Sequence, residues 1–351
     1  MIGPKIDRRT ALALGASFAA SVATGCAAPR PPAAAALALP FTFTDATPAF
    51  FSFWAAAERA PIDAQIARFR AEVVAPHAHL YTPAVLGLHG DEASAALDAR
   101  LREWLPKLPS IAPRMRELHA GFERDMRRGV ARLEAAAPTF RWSGACYLFA
   151  SIDTMNGGMR DVDGKSALLF GLDVMAKPGA SMPPEVLFAH ELFHTHQDDV
   201  TPKLADGDAR VGDALWTEGL AEHASLVVCE GRTEREALPF SHLHDPAHPA
   251  LDIPERRVEL AEVMPRYARS LGGELLAAFD SREQADYARF FLGRADPRLG
   301  ERPVRSGYWF GLHAARVIAA GRSLDVLCRV PRDAVRAEVR AAVAEIVARA
   351  T

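Results

Sequence analysis

The segment PPEVLFAHELFH, residues 183–194, combines the start of a helix with two histidines in helical register. Two prolines followed by Glu185 are typical of a first helical turn, because proline fixes φ and an acid there interacts favourably with the helix dipole. Apolar residues on several faces predict a largely buried helix of about 13–15 residues. Buried imidazoles need polar partners, and a metal ion would satisfy both of them.

His190 and His194 are four residues apart and therefore share one helical face, about 5–6 Å apart at Cβ. Both imidazoles can then reach one Zn²⁺ at roughly 2.0–2.1 Å. Glu191 is placed to take a proton from a metal-bound water, as in the H-E-x-x-H pattern. With 12 histidines in 351 residues, this pattern arises by chance with a probability of roughly a few per cent. His196 lies on the same helix but points elsewhere, so the rest of the sequence decides the third ligand.

A second helix is predicted to begin at Asp213, a residue type that often caps helices. Glu218 and Glu222 are one turn apart on this helix and share a face. They are interpreted either as metal-site carboxylates or as a solvated acidic face. The neighbouring Trp216 favours the first interpretation, because a solvated face is rarely bordered by large apolar side chains.

The two helices together resemble the gluzincin metallopeptidases, in which H-E-x-x-H is followed on a second helix by a zinc-binding glutamate. The stretch W-x-E-G-x-A, residues 216–221, is similar to the aminopeptidase branch of that clan. The resemblance extends over residues 183–228. It implies a zincin-like core in which an edge strand of a sheet pairs with the extended substrate backbone.

The resemblance also implies a role for individual residues. Zn²⁺ would be bound by His190, His194 and Glu218, with water as the fourth ligand, while Glu222 orients a ligand histidine. Glu191 would be the general base. Gluzincins commonly supply a tyrosine or histidine that stabilises the oxyanion. The first candidate for that role is Tyr308 and the second is His313, and an interpretation of Tyr308 as a core aromatic stays open.

The expected function is therefore that of a zinc-dependent metallohydrolase, most simply a peptidase acting on a peptide or protein. Two alternatives remain open. A non-catalytic zinc-binding envelope lipoprotein or scaffold would close its site with a fourth protein ligand, for which His223 and His196 are candidates. If the motif arose by chance, both helices would be core elements of a lipoprotein binding module.

The N-terminus predicts export. Residues 1–25 contain a basic start and an apolar stretch of small residues, typical of an export signal. They resemble a bacterial twin-arginine signal that ends in a lipobox, with Cys26 as the lipidation site. The protein is thus expected in the periplasm or, as a lipoprotein, at an envelope membrane. Ordinary signal cleavage and a disordered cytoplasmic terminus are the alternatives. Residues 26–43 predict a tether.

Composition narrows the class of protein. A hydrophobic fraction of 49% and a charged fraction of 24% are typical of globular proteins. A net charge of −3 without a long basic run argues against nucleic-acid binding. No apolar run near 20 residues follows the leader, so contact with a membrane is expected only through the lipid. Cys146, Cys229 and Cys328 either include one disulfide or are buried thiols.

The fold class is predicted to be α+β and predominantly helical, with a small mixed sheet. Residues 44–137 have helical periodicity and predict a helical N-terminal region. Residues 138–351 are expected to form the zincin-like catalytic region, with strands at 139–151 and 166–175. Between these strands, Gly157, Gly158 and residues 161–164 predict turns.

Overall fold

The computed structural model of the protein describes residues 38–88, 93–177, 182–201, 208–239, 241–243, 257–292 and 302–350. The chain divides into two compact units, Met1–Ala36 and Leu37–Thr351, and all described residues belong to the second. The predicted export signal, Cys26 and the tether up to residue 37 lie outside the described residues.

Helices make up most of the described chain. They are α1 (Thr47–Ala57), α2 (Ile62–Phe69), α3 (Pro83–Leu86), α4 (Ala93–Trp104), α5 (Leu108–Ala136), α6 (Leu172–Met175), α7 (Pro184–Val200), α8 (Val211–Val228), α9 (Glu234–Ala237), α10 (Leu260–Ala277), α11 (Gln284–Phe291), α12 (Ser306–Ile318), α13 (Leu324–Cys328) and α14 (Arg332–Arg349). A π-helical turn (Arg70–Val74) and two 3₁₀ segments (Ala75–Leu80 and Leu105–Lys107) extend them. None of the described helices combines the length and the apolarity that a membrane span requires.

A mixed sheet of four strands accompanies the helices. Its strands are β1 (Thr42–Asp45), β2 (Ala145–Phe149), β3 (Gly157–Val162) and β4 (Lys165–Gly171), in the spatial order β1-β2-β4-β3. β1, β2 and β4 are parallel, and β3 runs antiparallel to β4 at one edge. Two short strands, β5 (Ser241–His242) and β6 (Arg257–Val258), pair separately. The predicted α+β, predominantly helical class with a small mixed sheet is thus confirmed.

Strand β1 corrects the predicted tether. Thr42 aligns with Ala145 in the parallel pair of β1 and β2, and the side chain of Phe41 just before it is buried. The Phe41 ring lies 4.9 Å from the ring of Trp142. The prediction that residues 26–43 form a tether was therefore wrong at 42 and 43. A strand of four residues is too short to show an alternating pattern beside an alanine-rich stretch.

The hairpin of β3 and β4 corrects a second prediction. Gly157 and Gly158 were expected to form a turn, but they begin strand β3. The turn between the strands lies at Asp163 and Gly164, whose φ angles are 53° and 76°. Within the predicted strand 166–175, the last four residues form helix α6 instead.

The N-terminal helices and the sheet share one core. Phe122 of α5 contacts Phe170 of β4 and Phe188 of α7, with ring centroids 5.6 Å and 4.8 Å apart respectively. The helix that carries the histidines is therefore packed directly against the N-terminal half. The predicted boundary at 137/138 does not separate two folding units, because the compact unit runs from Leu37 onward.

The three described cysteines, Cys146, Cys229 and Cys328, are free and buried. Burial raises the pKa of the Cys229 thiol to about 11 and that of the Cys328 thiol to about 12. Of the two alternatives for these cysteines, the structure has buried thiols, which behave as small apolar side chains.

Candidate metal centre

The two motif histidines face one point. Helix α7 begins after Pro183, as its sequence predicts, and buries His190 against the core. The Nε2 atoms of His190 and His194 are 3.0 Å apart. At this distance the two Nε2 atoms cannot both carry a proton that points at the other. At least one neutral imidazole therefore presents a lone pair to the space between them.

Glu218 completes a cluster of three ligand atoms. Its Oε2 lies 3.5 Å from the Nε2 of His190 and 3.5 Å from the Nε2 of His194. For bonds of roughly 2.0–2.1 Å in tetrahedral geometry, ligand atoms are about 3.3 Å apart. The observed separations bracket this value, so the cluster could hold a metal ion. Among the described residues it is the one such group of three or more.

The carboxylate of Asp213 fixes the start of the helix that carries Glu218. Helix α8 is capped by Arg210, and Asp213 occupies the third helical position, where it accepts a bond from the Arg210 backbone N–H at 2.9 Å. The Asp213 carboxylate also accepts from Arg336 of α14. The predicted helix is present, but Asp213 is not its N-cap residue. Its carboxylate anchors α8 to a third helix one turn before Glu218.

Two further side chains set the orientation of the imidazoles. His194 Nδ1 lies 2.8 Å from Oε1 of Gln197. Since Gln197 donates through Nε2 to the backbone carbonyl of Thr217, its oxygen faces the histidine, and Nδ1 is the donor. In its neutral form, His194 therefore presents an unprotonated Nε2 to the centre. Helical spacing places Gln197 beside His194, but its bond to the backbone of α8, which fixes the orientation of the amide, depends on the packing of the two helices.

Glu222 lies behind His190. Its Oε2 is 3.6 Å from Nδ1 of His190, and its side chain is fully buried. Neither carboxylate oxygen of Glu222 has a hydrogen-bond partner, and the same is true of Nδ1 of His190. A buried, unpartnered carboxylate is costly. A slight approach would pair Nδ1–H with Oε2, which would turn the Nε2 lone pair towards the centre.

The charges of the site favour a cation. Burial lowers the pKa of His190, but the carboxylates of Glu222 and Glu218 outweigh it, so the pKa lies well above its usual value. The pKa of His194 is raised in the same way by Glu218. Burial raises the pKa of Glu218, but the two histidines outweigh it, and the pKa falls well below its usual range. Either protons or a metal ion can supply the positive charge that these carboxylates stabilise.

The cluster opens onto a cavity of about 470 Å³, called here the metal cavity. Glu191 lies in its wall beside the three ligand atoms. Gly157 of strand β3 faces Glu191 so closely that a Cβ on the glycine would lie 3.0 Å from Cγ of Glu191. The glycine thus lets the edge strand approach the candidate base, which explains why β3 begins with glycine rather than with a β-branched residue.

A buried carboxylate holds the loop that leads into β3. Asp173 of α6 accepts bonds from the backbone N–H and the hydroxyl of Ser151, at 2.6 Å and 2.9 Å, and from the N–H of Asp153 at 2.7 Å. Ile152 and Asp153 have positive φ angles, which side chains rarely adopt without such support. The start of the edge strand is therefore fixed relative to the metal cavity.

The structure separates the two candidates for oxyanion stabilisation. Tyr308 lines the metal cavity, and burial together with the charge of Glu218 raises its pKa well above the usual value, so its hydroxyl is protonated. His313, in contrast, lies 3.0 Å from Glu234 through Nε2 and packs on Trp309. It is not in the wall of the metal cavity. The structure brings Tyr308, and not His313, to the cluster.

Tyr287 of α11 also lines the metal cavity. Burial, with a contribution from Glu218, raises its pKa to about 12, so it too is a hydrogen-bond donor at neutral pH. Its sequence surroundings contain no motif. Only the packing of α11 against α12, where the Phe291 ring contacts Tyr308 at 5.7 Å, brings it to the site.

Two other histidines had been considered as closing ligands. His196 is fully buried on another face of α7, with Nε2 3.2 Å from Asp325. His223 of α8 is partly buried and takes no part in the three-residue cluster. Within the part of the chain that the structure describes, neither residue supplies a fourth ligand.

The chain matches no protein-family model, no curated protein and no solved structure with which it was compared.

Proposed function

We propose that this protein is an exported zinc-dependent metallohydrolase that cleaves peptide bonds, built on a zincin-like core. One observation carries the proposal: three ligand atoms from two helices converge at the wall of a cavity, with the carboxylate of Glu191 beside them. Catalytic zinc sites typically use three protein ligands and leave one position for water, whereas structural sites use four.

The residues fit Zn²⁺ by their chemistry. His190 and His194 offer imidazole nitrogens and Glu218 offers a carboxylate oxygen, a donor set that suits this ion. Zn²⁺, when bound, would lower the pKa of a water towards about 7 and polarise a carbonyl group. Gln197 and Glu222 would hold the two imidazoles in the tautomer that binds metal.

Glu191 and Tyr308 would act on the substrate. Glu191 accepts a proton from the water that attacks the peptide carbonyl and then delivers it to the departing amine nitrogen, so that one water is consumed for each bond cleaved. The Tyr308 hydroxyl donates to the oxygen that becomes negative during the attack. The hydroxyl is protonated at neutral pH, as it would be at the ordinary tyrosine pKa of about 10, and can therefore donate.

The sheet edge supports a peptide as substrate. β3 is an edge strand, and its first residues line the metal cavity next to Glu191. An extended peptide can pair with such an edge through main-chain hydrogen bonds. The scissile carbonyl would then lie between Glu191 and the ligand atoms, which is the arrangement that hydrolysis requires.

Export and lipid attachment rest on the sequence of residues 1–26 alone. A twin-arginine-like signal and Cys26 support a place in the periplasm or at an envelope membrane, held by a lipid anchor. We expect a peptide or protein as the partner, and no nucleic acid.

Metal removal tests the proposal. The purified protein should contain one Zn²⁺ and cleave members of a peptide library, detected by mass spectrometry. A chelator should abolish the cleavage and added Zn²⁺ should restore it. A protein that retains its zinc but cleaves nothing would instead favour the non-catalytic envelope scaffold, and cleavage without metal would refute the zinc mechanism.

A further inference from the structure

A second chamber adjoins the metal cavity. It has a volume of about 420 Å³. Its wall includes Asn156, Leu187 and Arg305, which also line the metal cavity, so the two spaces meet. Asn156 directly precedes the edge strand β3. A peptide paired with β3 would therefore extend from the ligand cluster towards this chamber.

The walls of this chamber carry mostly positive charge, and we call it the cationic chamber. Its basic residues are Arg114, Lys177, Arg232 and Arg305, and its single acid is Glu185. Glu185 forms an ion pair with Arg232. Lys177 and Arg114 also have carboxylate partners, but those acids are not in the wall of the chamber. A ligand that enters the chamber therefore meets more basic than acidic groups.

Arg114 can still donate to a ligand. Arg114 uses Nη1 for its bond to Glu117 at 2.8 Å, and its side chain is 56% exposed. A guanidinium has five N–H donors in a planar fork, which matches a carboxylate. The wall also has apolar residues, among them Leu118, Val174 and Met175, against which the methylene stem of an acidic side chain can pack.

Arg305 stands where the two spaces meet. Its φ angle is 59°, in the left-handed region, although it is not a glycine. Such conformations are uncommon for residues with a Cβ and are typically retained where function requires them. Three residues later, Tyr308 begins the contribution of α12 to the metal cavity. The side chain of Arg305 thus places a positive charge between the ligand cluster and the cationic chamber.

We propose that the cationic chamber is a subsite for a carboxylate of the peptide substrate, with Arg305 and Arg114 as its specificity-determining residues. This inference rests on the proposed peptidase function. The carboxylate belongs either to a glutamate or aspartate side chain or to the C-terminus of the peptide. Both have the planar, bidentate chemistry that an arginine fork recognises.

Three sets of peptides test the subsite. The first is a neutral peptide with an amidated C-terminus, the second carries a single glutamate moved through each position, and the third is the neutral peptide with a free C-terminal carboxylate. We expect a glutamate at one position, or the free C-terminus, to raise kcat/KM by about tenfold or more, the size of effect typical of a charge-assisted contact. Which set responds identifies the source of the carboxylate. Cleavage of all three sets at equal rates would overturn the subsite.

Two variants and a matched control separate this subsite from general effects of charge. Arg305→Gln and, independently, Arg114→Gln should remove the preference for the carboxylate while cleavage of the neutral peptide continues. Arg114 is on the exposed face of α5, so its variant remains informative if Arg305→Gln fails to fold. Arg102→Gln removes the same charge on α4, outside both cavities, and should keep the preference. Retention of the preference by both subsite variants would overturn the proposal.

A binding measurement separates the subsite from the peptidase function. In zinc-loaded Glu191→Gln protein, fluorescence polarisation should show tighter binding of one of the glutamate-containing peptides, or of the peptide with a free C-terminus, than of the neutral amidated peptide, and Arg114→Gln should abolish the difference. If no peptide is cleaved by wild type, the peptidase proposal fails. Equal binding of the charged and neutral peptides would then overturn the subsite as well, whereas unequal binding would support it.

Discussion

Each histidine of the site is oriented by a different partner. His194 donates through Nδ1 to Gln197, which also bonds to the backbone of α8, and His190 directs Nδ1 towards Glu222. A histidine that donates from one nitrogen presents the lone pair of the other. The ligand geometry therefore depends on contacts between α7 and α8 as well as on the spacing within α7.

The third ligand can be tested by replacing one atom. Glu218→Gln keeps the size of the side chain but removes the negative charge that lies 3.5 Å from both imidazoles. We expect zinc affinity to fall by at least about 10- to 100-fold, as measured by competition with a chelating dye. Glu230→Gln, an exposed change just beyond α8, is the matched control and should leave the affinity unchanged. Equal affinities for the two variants would exclude Glu218 as a ligand.

The pKa shifts predict how zinc binding depends on pH. Zinc binds neutral imidazoles, so protons compete with it. Because the pKa values of His190 and His194 are raised above 6.5, protons remain bound at higher pH than usual. Zinc affinity should thus decline as pH falls through these raised pKa values, starting above pH 6.5. The same protons stabilise the metal-free fold below pH 6.5, and that stability is lost as pH rises through the raised values.

The Glu222→Gln variant tests the direction of this pH dependence of zinc affinity. Glu222 contributes the largest of the interactions that raise the pKa of His190, so its removal should shift the decline in zinc affinity to lower pH. Dye competition from about pH 6 to 9 would measure the shift. A pH-independent affinity, or a shift towards higher pH, would contradict the assignment of Glu222 as the partner of His190.

The sequence could predict part of the site. Intervals of four residues place His190 with His194, and Glu218 with Glu222, on helical faces, and such local geometry can be inferred before any fold is known. The position of Tyr287 cannot be inferred in this way, because it depends on how α11 packs. Tyr308 and His313 are also five residues apart on one helix, and only its rotation in the fold turns one to the cavity and the other to Glu234.

At the level of elements, one contact between two helices fixes the relation of Glu218 to Tyr308. Gly219 of α8 and Gly311 of α12 meet backbone to backbone, and a Cβ on Gly219 would lie 2.1 Å from the carbonyl carbon of Gly311. Side chains at these positions would force the helices apart. Gly219, the residue after Glu218, thus sets the distance between α8 and α12.

Substitution of this glycine should be costly. Gly219→Ala forces α8 and α12 apart, so we expect a loss of roughly 1–3 kcal/mol in the free energy of unfolding. Gly273→Ala is the control, because Gly273 lies in α10 with open space around its Cβ position. It should be neutral or stabilising by about 0.5–1 kcal/mol. Urea denaturation of both variants measures their free energies of unfolding. Similar values for the two variants would refute the close contact between α8 and α12.

Strand β3 shows why local sequence signals fail at this element. Paired glycines such as Gly157 and Gly158 are typical of turns, and the sequence alone predicts a turn at these positions. The structure uses Gly157 for close approach to Glu191 rather than for a positive φ angle. A single sequence cannot distinguish these two uses of glycine, because the neighbour that requires it lies 34 positions away in the chain.

At the level of the whole molecule, the sheet and the helices form one folding unit from Leu37 onward. The predicted α+β class followed from periodicity and from the two motif helices. The predicted boundary between the tether and the helical region at 43/44 did not hold, because strand β1 (Thr42–Asp45) spans it and pairs with β2, which follows the N-terminal helices in sequence. Long-range pairing of this kind leaves no local pattern.

Truncation tests this view of the N-terminus. A chain that begins at Leu37 should be as stable as the full-length protein, since the compact unit begins there. A chain that begins at Thr47 lacks β1 and the buried Phe41, and its free energy of unfolding should fall by at least about 3 kcal/mol. Thermal unfolding of the two chains measures the difference. Equal midpoints would restore the interpretation of residues 42 and 43 as part of a tether.

A comparison of wild type with Glu191→Gln tests most directly whether Glu191 is the general base of a zinc peptidase. Zinc content and peptide-library hydrolysis are measured on both proteins in parallel. We predict equal zinc content and loss of at least about 100-fold in turnover for the variant, because the carboxamide cannot accept the proton from the attacking water. A Glu191→Gln protein that binds zinc and cleaves peptides as fast as wild type would rule out Glu191 as the general base.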